Sequence, residues 1–314
     1  MNNIDNQIPK QKEKSVAYWI ILFVLHLVMA GFATAFIIQG LLAYIFNSDA
    51  ESVLLFLTQP HLFEGKQMMF VSILALSSMF SFIGGSYFFI TRENGFVAKT
   101  LKNTVNIFNK DLFVKLFVLT LLAYPSFLLL GELNKEGMKL LLSEDSLKLL
   151  LEIDKKATTT YEYLLSVKEL PMLLFSVLCI AVIPGVGEEL VFRGVFQNLF
   201  KKAFNNHHLA IWISAFLFSA IHLEWSNFIL RLMIGGLFGY FYHWTKNIYA
   251  PIIAHVTYNS ISLILGYLVT NDIIDQSIDS SLLDDYVWLY IVLYSIVPIG
   301  LIYQFYKKEK ANVV

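Results

Sequence analysis

The chain has 314 residues, 57% of them hydrophobic and 15% charged, with a formal net charge of -1, whereas an ordinary soluble domain is about 25% charged. So much apolar surface exceeds what a soluble core of this length uses, and a balanced charge gives no basic field for nucleic acid. The single cysteine, Cys179, excludes an internal disulfide and reads as a small buried hydrophobe.

Apolar runs near the roughly 20 residues that a spanning helix needs recur along the chain. They predict an all-α, polytopic transmembrane bundle of about eight helices, near 16–46, 68–90, 112–131, 169–203, 209–223, 228–244, 248–269 and 286–306. The first run begins too late and extends too far for a cleaved signal peptide. Lys10, Lys12 and Lys14 precede it; Arg92, Lys99, Lys102 and Lys110 follow the second run, Lys201 and Lys202 the fourth, Lys246 the sixth, and Lys307, Lys308 and Lys310 the last. The alternate connections are acidic, with Asp49, Glu51 and Glu64, then Glu224, then Asp272, Asp275, Asp279, Asp284 and Asp285. Because cytoplasmic loops keep the positive charge, both termini are expected in the cytoplasm. Residues 132–168 form one long outer connection with leucines at helical spacing, read as an interfacial amphipathic helix that is either a plain connector or a lid.

Ionisable groups inside a span are costly, so they default to functional candidates. The first three spans hold almost none apart from Lys115 near an end, while the later ones hold Glu188, Glu189, Arg193, His222, Arg231, His255 and Asn259. In IPGVGEELVFRGVF, Pro184, Gly185 and Gly187 predict a kink or local opening just before the glutamates. Glu189 and Arg193 are four apart and share a face as an ion pair. Glu188 points about 100° away, free to polarise a water or hold a metal; the alternative is one structural charge cluster of both carboxylates. In FLFSAIHLEW, Phe218 backs His222 one turn later, and in APIIAHVTYNS, His255 and Asn259 share a face after Pro251. At about 1.5 Å per residue from the cytoplasmic ends, Glu188 and His222 lie about 20–22 Å deep, His255 about 10 Å and Asn259 about 16 Å, compatible with one pocket.

Other residues have blander readings. His207 and His208 are expected to be solvated in a cytoplasmic turn, and His243, Trp244 and Tyr249 to be interfacial. Gly235 and Gly239 suit close helix packing. Arg231 either snorkels to the outer interface or binds a substrate carboxylate.

EELVFR, FSAIH and HVTYN have the form EExxxR, FxxxH and HxxxN, in that order on successive apolar segments. The trio resembles the CPBP family, the CAAX-protease and bacteriocin-processing proteins also called Abi, whose eukaryotic relatives are the type 2 CAAX prenyl endopeptidases. The resemblance covers about 170–265. It implies an intramembrane endopeptidase in which Glu188 and His222 activate the attacking water while His255 and Asn259 stabilise the oxyanion. It leaves two mechanisms open. One places zinc on Glu188, His222 and His255 as a three-ligand set; the other is metal-free and glutamate-dependent. The division implied is a scaffold of three helices and an outer connection over 1–168, a catalytic core over 169–270, and a last helix with a cytoplasmic tail over 271–314. Expected partners are membrane lipid and a membrane-associated or lipidated peptide or protein, in a bacterial cell membrane. A non-proteolytic immunity or regulatory scaffold of the same fold is the alternative. A proton-relay transporter fits less well, since no inverted repeat divides the chain.

Overall fold

The computed structural model describes residues 14–47, 49–92, 110–166 and 168–274, with isolated positions at 97, 99 and between 296 and 307. The described residues are almost entirely helical, as the apolar periodicity predicts. Helix α1 spans Val16–Ile45, α2 Ala50–Thr58, α3 Gln67–Arg92, α4 Lys110–Leu141, α5 Glu144–Leu165, α6 Leu170–Phe204, α7 His207–Ala220, α8 Phe228–Thr245 and α9 Tyr249–Thr270. Among them α1, α3, α4, α6 and α9 are long and apolar enough to cross a membrane. The protein is an integral membrane protein. The expected eighth helix at 286–306, the loop lysine Lys102, and the acidic residues from Asp275 to Asp285 lie wholly or largely outside the described residues.

Helix starts follow local capping rules. The side chains of Ser15, Ser143 and Asn206 each accept a hydrogen bond from a backbone N–H in the first turn of α1, α5 and α7. Asn205 and Lys246, in the left-handed region at φ 47° and 53°, end α6 and α8.

Two expectations change. No opening interrupts Pro184–Gly187; α6 runs unbroken, with wide π turns at Val177–Val182 and Leu190–Phe196 on either side. Proline lacks an amide hydrogen and its ring collides with the carbonyl four residues back; the π turn just before it absorbs both faults without ending the helix. Nor is 132–168 a single connection. Helix α4 extends ten residues past its expected end to Leu141, and α5 then forms a separate amphipathic helix.

Packing puts α6 at the centre. Phe192, Val195, Phe196 and Leu199 of α6 are buried with Phe23 of α1, Phe89 of α3, Phe218 of α7 and Tyr242 of α8. A second cluster joins α4, α8 and α9 through Leu116, Leu119, Phe127, Phe238, Phe241 and Ala254. A third joins α1, α2, α3 and α5 to the start of α6, where Cys179 is buried as expected. Helix α1 is the most peripheral, with Met29, Phe32 and Phe36 70%, 74% and 80% exposed. Such a face suits lipid.

Glycines set how closely the elements around α6 approach. A Cβ at Gly187 would stand 2.9 Å from Cβ of Phe82 in α3, and one at Gly185 3.0 Å from Val256 in α9. Gly187→Ala is therefore expected to cost about 1–3 kcal/mol by pushing α3 away from the residue before Glu188. Gly137, whose Cβ would meet nothing within 4 Å, should instead gain about 0.5–1 kcal/mol as Ala. Thermal unfolding of both variants in detergent checks the pair.

Candidate active site

Helix α6 supplies Glu188, Glu189 and Arg193, all buried. Glu189 and Arg193 form the predicted i, i+4 pair, with Nη1 donating to Glu189 Oε1 at 2.8 Å. Arg193 Nη2 donates to the carbonyl of Gly235 at 2.7 Å, and one turn on Gln197 donates to the carbonyl of Gly239 at 3.1 Å. Gly235 and Gly239 are the close-packing positions the sequence indicates: a Cβ at Gly235 would stand 3.2 Å from Ala215, and one at Gly239 2.8 Å from Ile211. With no side chains on that face, α8 carbonyls become reachable from α6. The guanidinium lies between the rings of Phe218 and Phe238, its carbon 5.2 and 5.8 Å from their centroids. Weakly hydrated and planar, arginine suits such an apolar site better than lysine.

His255 of α9, 3% exposed, joins the two glutamates. Its Nδ1 is 2.7 Å from Glu189 Oε1, the same oxygen that Arg193 holds. A carboxylate bound to arginine only accepts, so Nδ1 carries the proton. That leaves Nε2 facing Glu188 Oε2 at 3.7 Å, beyond hydrogen-bond distance and within strong electrostatic contact. Glu189 thus does more than pair with Arg193: one oxygen orients the ring of His255 through Nδ1. Its other oxygen, Oε2, is buried without a hydrogen-bond partner among the described residues.

His222 lies two residues beyond α7, half-buried, with Nδ1 2.7 Å from the carbonyl of Phe218. A carbonyl only accepts, so Nδ1 is protonated here too and Nε2 is left as an acceptor. The predicted backing is present: Phe218 contacts His222 edge-on at 5.0 Å between centroids and His255 at 5.7 Å. His222 is within electrostatic reach of Glu188, Arg231 and His255. The structure thereby gathers Glu188, Glu189, Arg193, His222 and His255 around Phe218. Asn259, one turn after His255 and half-buried, makes no side-chain hydrogen bond among the described residues.

The donor types for zinc are present in Glu188, His222 and His255, with Nδ1 of each histidine tied back in the manner of metal-bound imidazoles. Among the described residues, however, no three His, Cys, Asp or Glu side chains converge as a metal-holding set.

Residues outside the cluster depart from their simpler readings. Arg231 pairs with Glu224 rather than snorkelling freely. His207 stacks on His243 at 4.1 Å between centroids and meets His208 at a tilt of 44° and 3.9 Å, and His208 bonds the Tyr240 hydroxyl at 2.7 Å. His243 is buried. Sequence reasoning also passed over Phe238, which lies 5.3 Å from His255; its spacing of three from Gly235 on α8 was the available signal.

Comparison with known proteins bears on the same segment. Residues 170–261 match the family model of type II CAAX prenyl endopeptidases, Rce1-like. The resemblance drawn from the three motifs is thereby shown over the segment that holds the cluster. YpbD of Bacillus subtilis strain 168, whose activity is uncharacterized, is 33% identical over 94 residues, 29% of this chain and 43% of YpbD. YdiL of the same strain, named as a candidate membrane peptidase, is 25% identical over 125 residues, 40% of this chain and 49% of YdiL. The chain thus spans under half the length of these curated relatives. No solved structure matches.

Proposed function

We propose that the protein is an intramembrane endopeptidase that hydrolyses a peptide bond in a membrane-associated or lipidated peptide or protein. The observation that carries this reading is the buried chain from Arg193 through Glu189 to His255, which aims an imidazole nitrogen at the carboxylate of Glu188. Buried charge of this kind is costly unless used.

The reaction follows from the proton positions. Glu188 takes a proton from water whose other hydrogen is accepted by Nε2 of His222, and the water oxygen attacks the scissile carbonyl carbon. The carbonyl π electrons move to oxygen. His255, acting as the imidazolium with its Nδ1–H held by Glu189, donates its Nε2–H to that oxyanion together with the Asn259 amide. Collapse of the intermediate breaks the C–N bond, and the proton on Glu188 passes to the departing amine. Each step uses only this chain's own groups and water. Where zinc is bound, it would supply Lewis acidity at Glu188, His222 and His255.

Two outcomes test the assignment of α9. Asn259→Ala is expected to lower turnover by about 10²–10³ with substrate affinity nearly unchanged, since its bond strengthens only as charge develops. Elemental analysis beside the assay assigns His255: zinc lost with His255→Ala makes it a ligand, and unchanged metal content makes it the donor to the oxyanion.

We also propose the orientation with both termini in the cytoplasm, on the alternating charge of the connections. Ser143 and Lys202 are exposed while the one cysteine is buried. A membrane-impermeant thiol reagent added outside cells should therefore label Ser143→Cys and spare Lys202→Cys. The opposite pattern inverts the topology.

Function itself is tested by comparing membrane peptides from cells carrying wild type and Glu188→Gln. Peptides that appear only with wild type identify the substrate; identical peptide sets remove the protease reading.

A further inference from the structure

Asn134 and Asp154 are buried polar residues, 6% and 5% exposed, on helices that carry no catalytic motif. Both point at the turn between α7 and α8, and this turn contains His222. The Asp154 carboxylate accepts from the backbone N–H of Trp225 at 2.9 Å and of Ser226 at 2.7 Å. Asn134 Nδ2 donates to the carbonyls of the same two residues at 2.9 and 2.7 Å, while its Oδ1 accepts from the N–H of Ile229 at 3.0 Å. Five backbone groups between 225 and 229 are thus held by two side chains from α4 and α5.

The turn needs holding. Leu223, next to His222, has φ 52°, in the left-handed region where a residue with a Cβ is strained by about 1–2 kcal/mol. Leu223 is also 65% exposed, so its own side chain gains little there. The bonds that keep it include the last tight turn of α7, with His222 N–H to Ser219 and Leu223 N–H to Ala220, both at 3.3 Å, the Ser219 hydroxyl donating to the carbonyl of Phe228 at 2.6 Å, Glu224 accepting from Asn227 and Arg231, and the clamp on the far side. Without the clamp, Leu223 can relax to an ordinary conformation. His222 then swings with the end of α7.

We propose that Asp154 and Asn134 are positioning residues that hold the 221–227 turn in its strained form and so place the free Nε2 of His222 beside Glu188. This rests on the protease reading and gives the outer helix α5 a role as a clamp on the site, distinct from both a lid and a passive connector. Two charge-assisted bonds to one carboxylate supply the needed rigidity, and a displacement of about 1 Å in a catalytic group can cost about 10²-fold in rate.

The test uses Asp154→Asn, which keeps the size, and Leu223→Gly, which removes the strain, alone and together in the full-length protein. Three readouts are taken: hydrogen exchange of the 221–229 amides, the ring ¹⁵N spectrum of His222, and kcat and KM on a peptide that wild type cleaves in a Glu188-dependent way. Asp154→Asn should speed exchange at Trp225 and Ser226 about tenfold or more and leave residues 189–196 unchanged. It should disperse the single Nδ1-protonated signal of His222 and lower kcat about tenfold or more with KM within about twofold. Adding Leu223→Gly should return about a third or more of the lost kcat, because glycine adopts the left-handed conformation without strain. Faster exchange with an unchanged His222 spectrum and kcat within about twofold of wild type would overturn the clamp, as would no recovery on adding Leu223→Gly. A chain that cleaves no peptide would sink the protease reading alone, since exchange and the His222 spectrum still decide the clamp.

Discussion

Arg193→Ala is expected to cost the folded protein about 3–5 kcal/mol, more than any other single substitution in the cluster. Arg193 is 1% exposed and Glu189 0%, so truncation leaves a carboxylate buried with His255 as its remaining partner and its other oxygen still unpaired. The carbonyl of Gly235 also loses its donor. Arg193→Lys should recover only part of the stability: a single ammonium cannot copy a planar fork that reaches Glu189 and Gly235 at once and lies between two aromatic rings. Detergent thermal unfolding of wild type, Arg193→Ala and Arg193→Lys should rank them in the order wild type, lysine, alanine. Equal stability of all three would mean that Glu189 is not charged in the folded state.

Glu188→Gln is expected to reduce peptide cleavage by about 10³-fold or more while leaving the fold almost untouched. The amide has the size of the carboxylate but cannot take the water's proton. It breaks no direct hydrogen bond within the cluster, because Glu188 stands 3.7 Å from His255. Glu189→Gln should behave differently, weakening the hold on Arg193 and on His255 Nδ1 together and so lowering both folded yield and turnover. Measuring yield, unfolding temperature and turnover of the two variants side by side separates the proton acceptor from the group that organises it.

Much of this was legible in the sequence where the physics is local. Hydropathy and length placed seven helices within a few residues at nearly every boundary, because crossing a bilayer constrains both. The Glu189–Arg193 pair, the Phe218–His222 contact and the glycine face of α8 follow from residues four apart on one helix. What depended on how helices rotate against each other was not legible. The spacing put His255 with Asn259, whereas its nearest polar partner is Glu189, 66 residues away. Asp154 drew no reading of its own within the 132–168 connection, and only the packing of α5 against the turn after α7 buries it. Nor did the span-end position of His243 show that His207 from the neighbouring helix covers it. The proline and glycines before Glu188 signalled a weak helix correctly, but the outcome was decided by α3 and α9, which close on those glycines and leave no space for an opening.

The motifs, the family match over 170–261 and the shared Glu189 oxygen all concern one segment and one kind of chemistry. The reaction proposed for it is the transfer of a water oxygen to a peptide carbonyl under the control of Glu188. The most direct measurement is mass spectrometry of membrane peptides cleaved in water enriched in oxygen-18, with wild type and Glu188→Gln in parallel. The account predicts that wild type yields fragments with one heavy oxygen in the new C-terminal carboxylate and that Glu188→Gln yields none. Fragments without the label, or labelled fragments at equal abundance with both proteins, would contradict it.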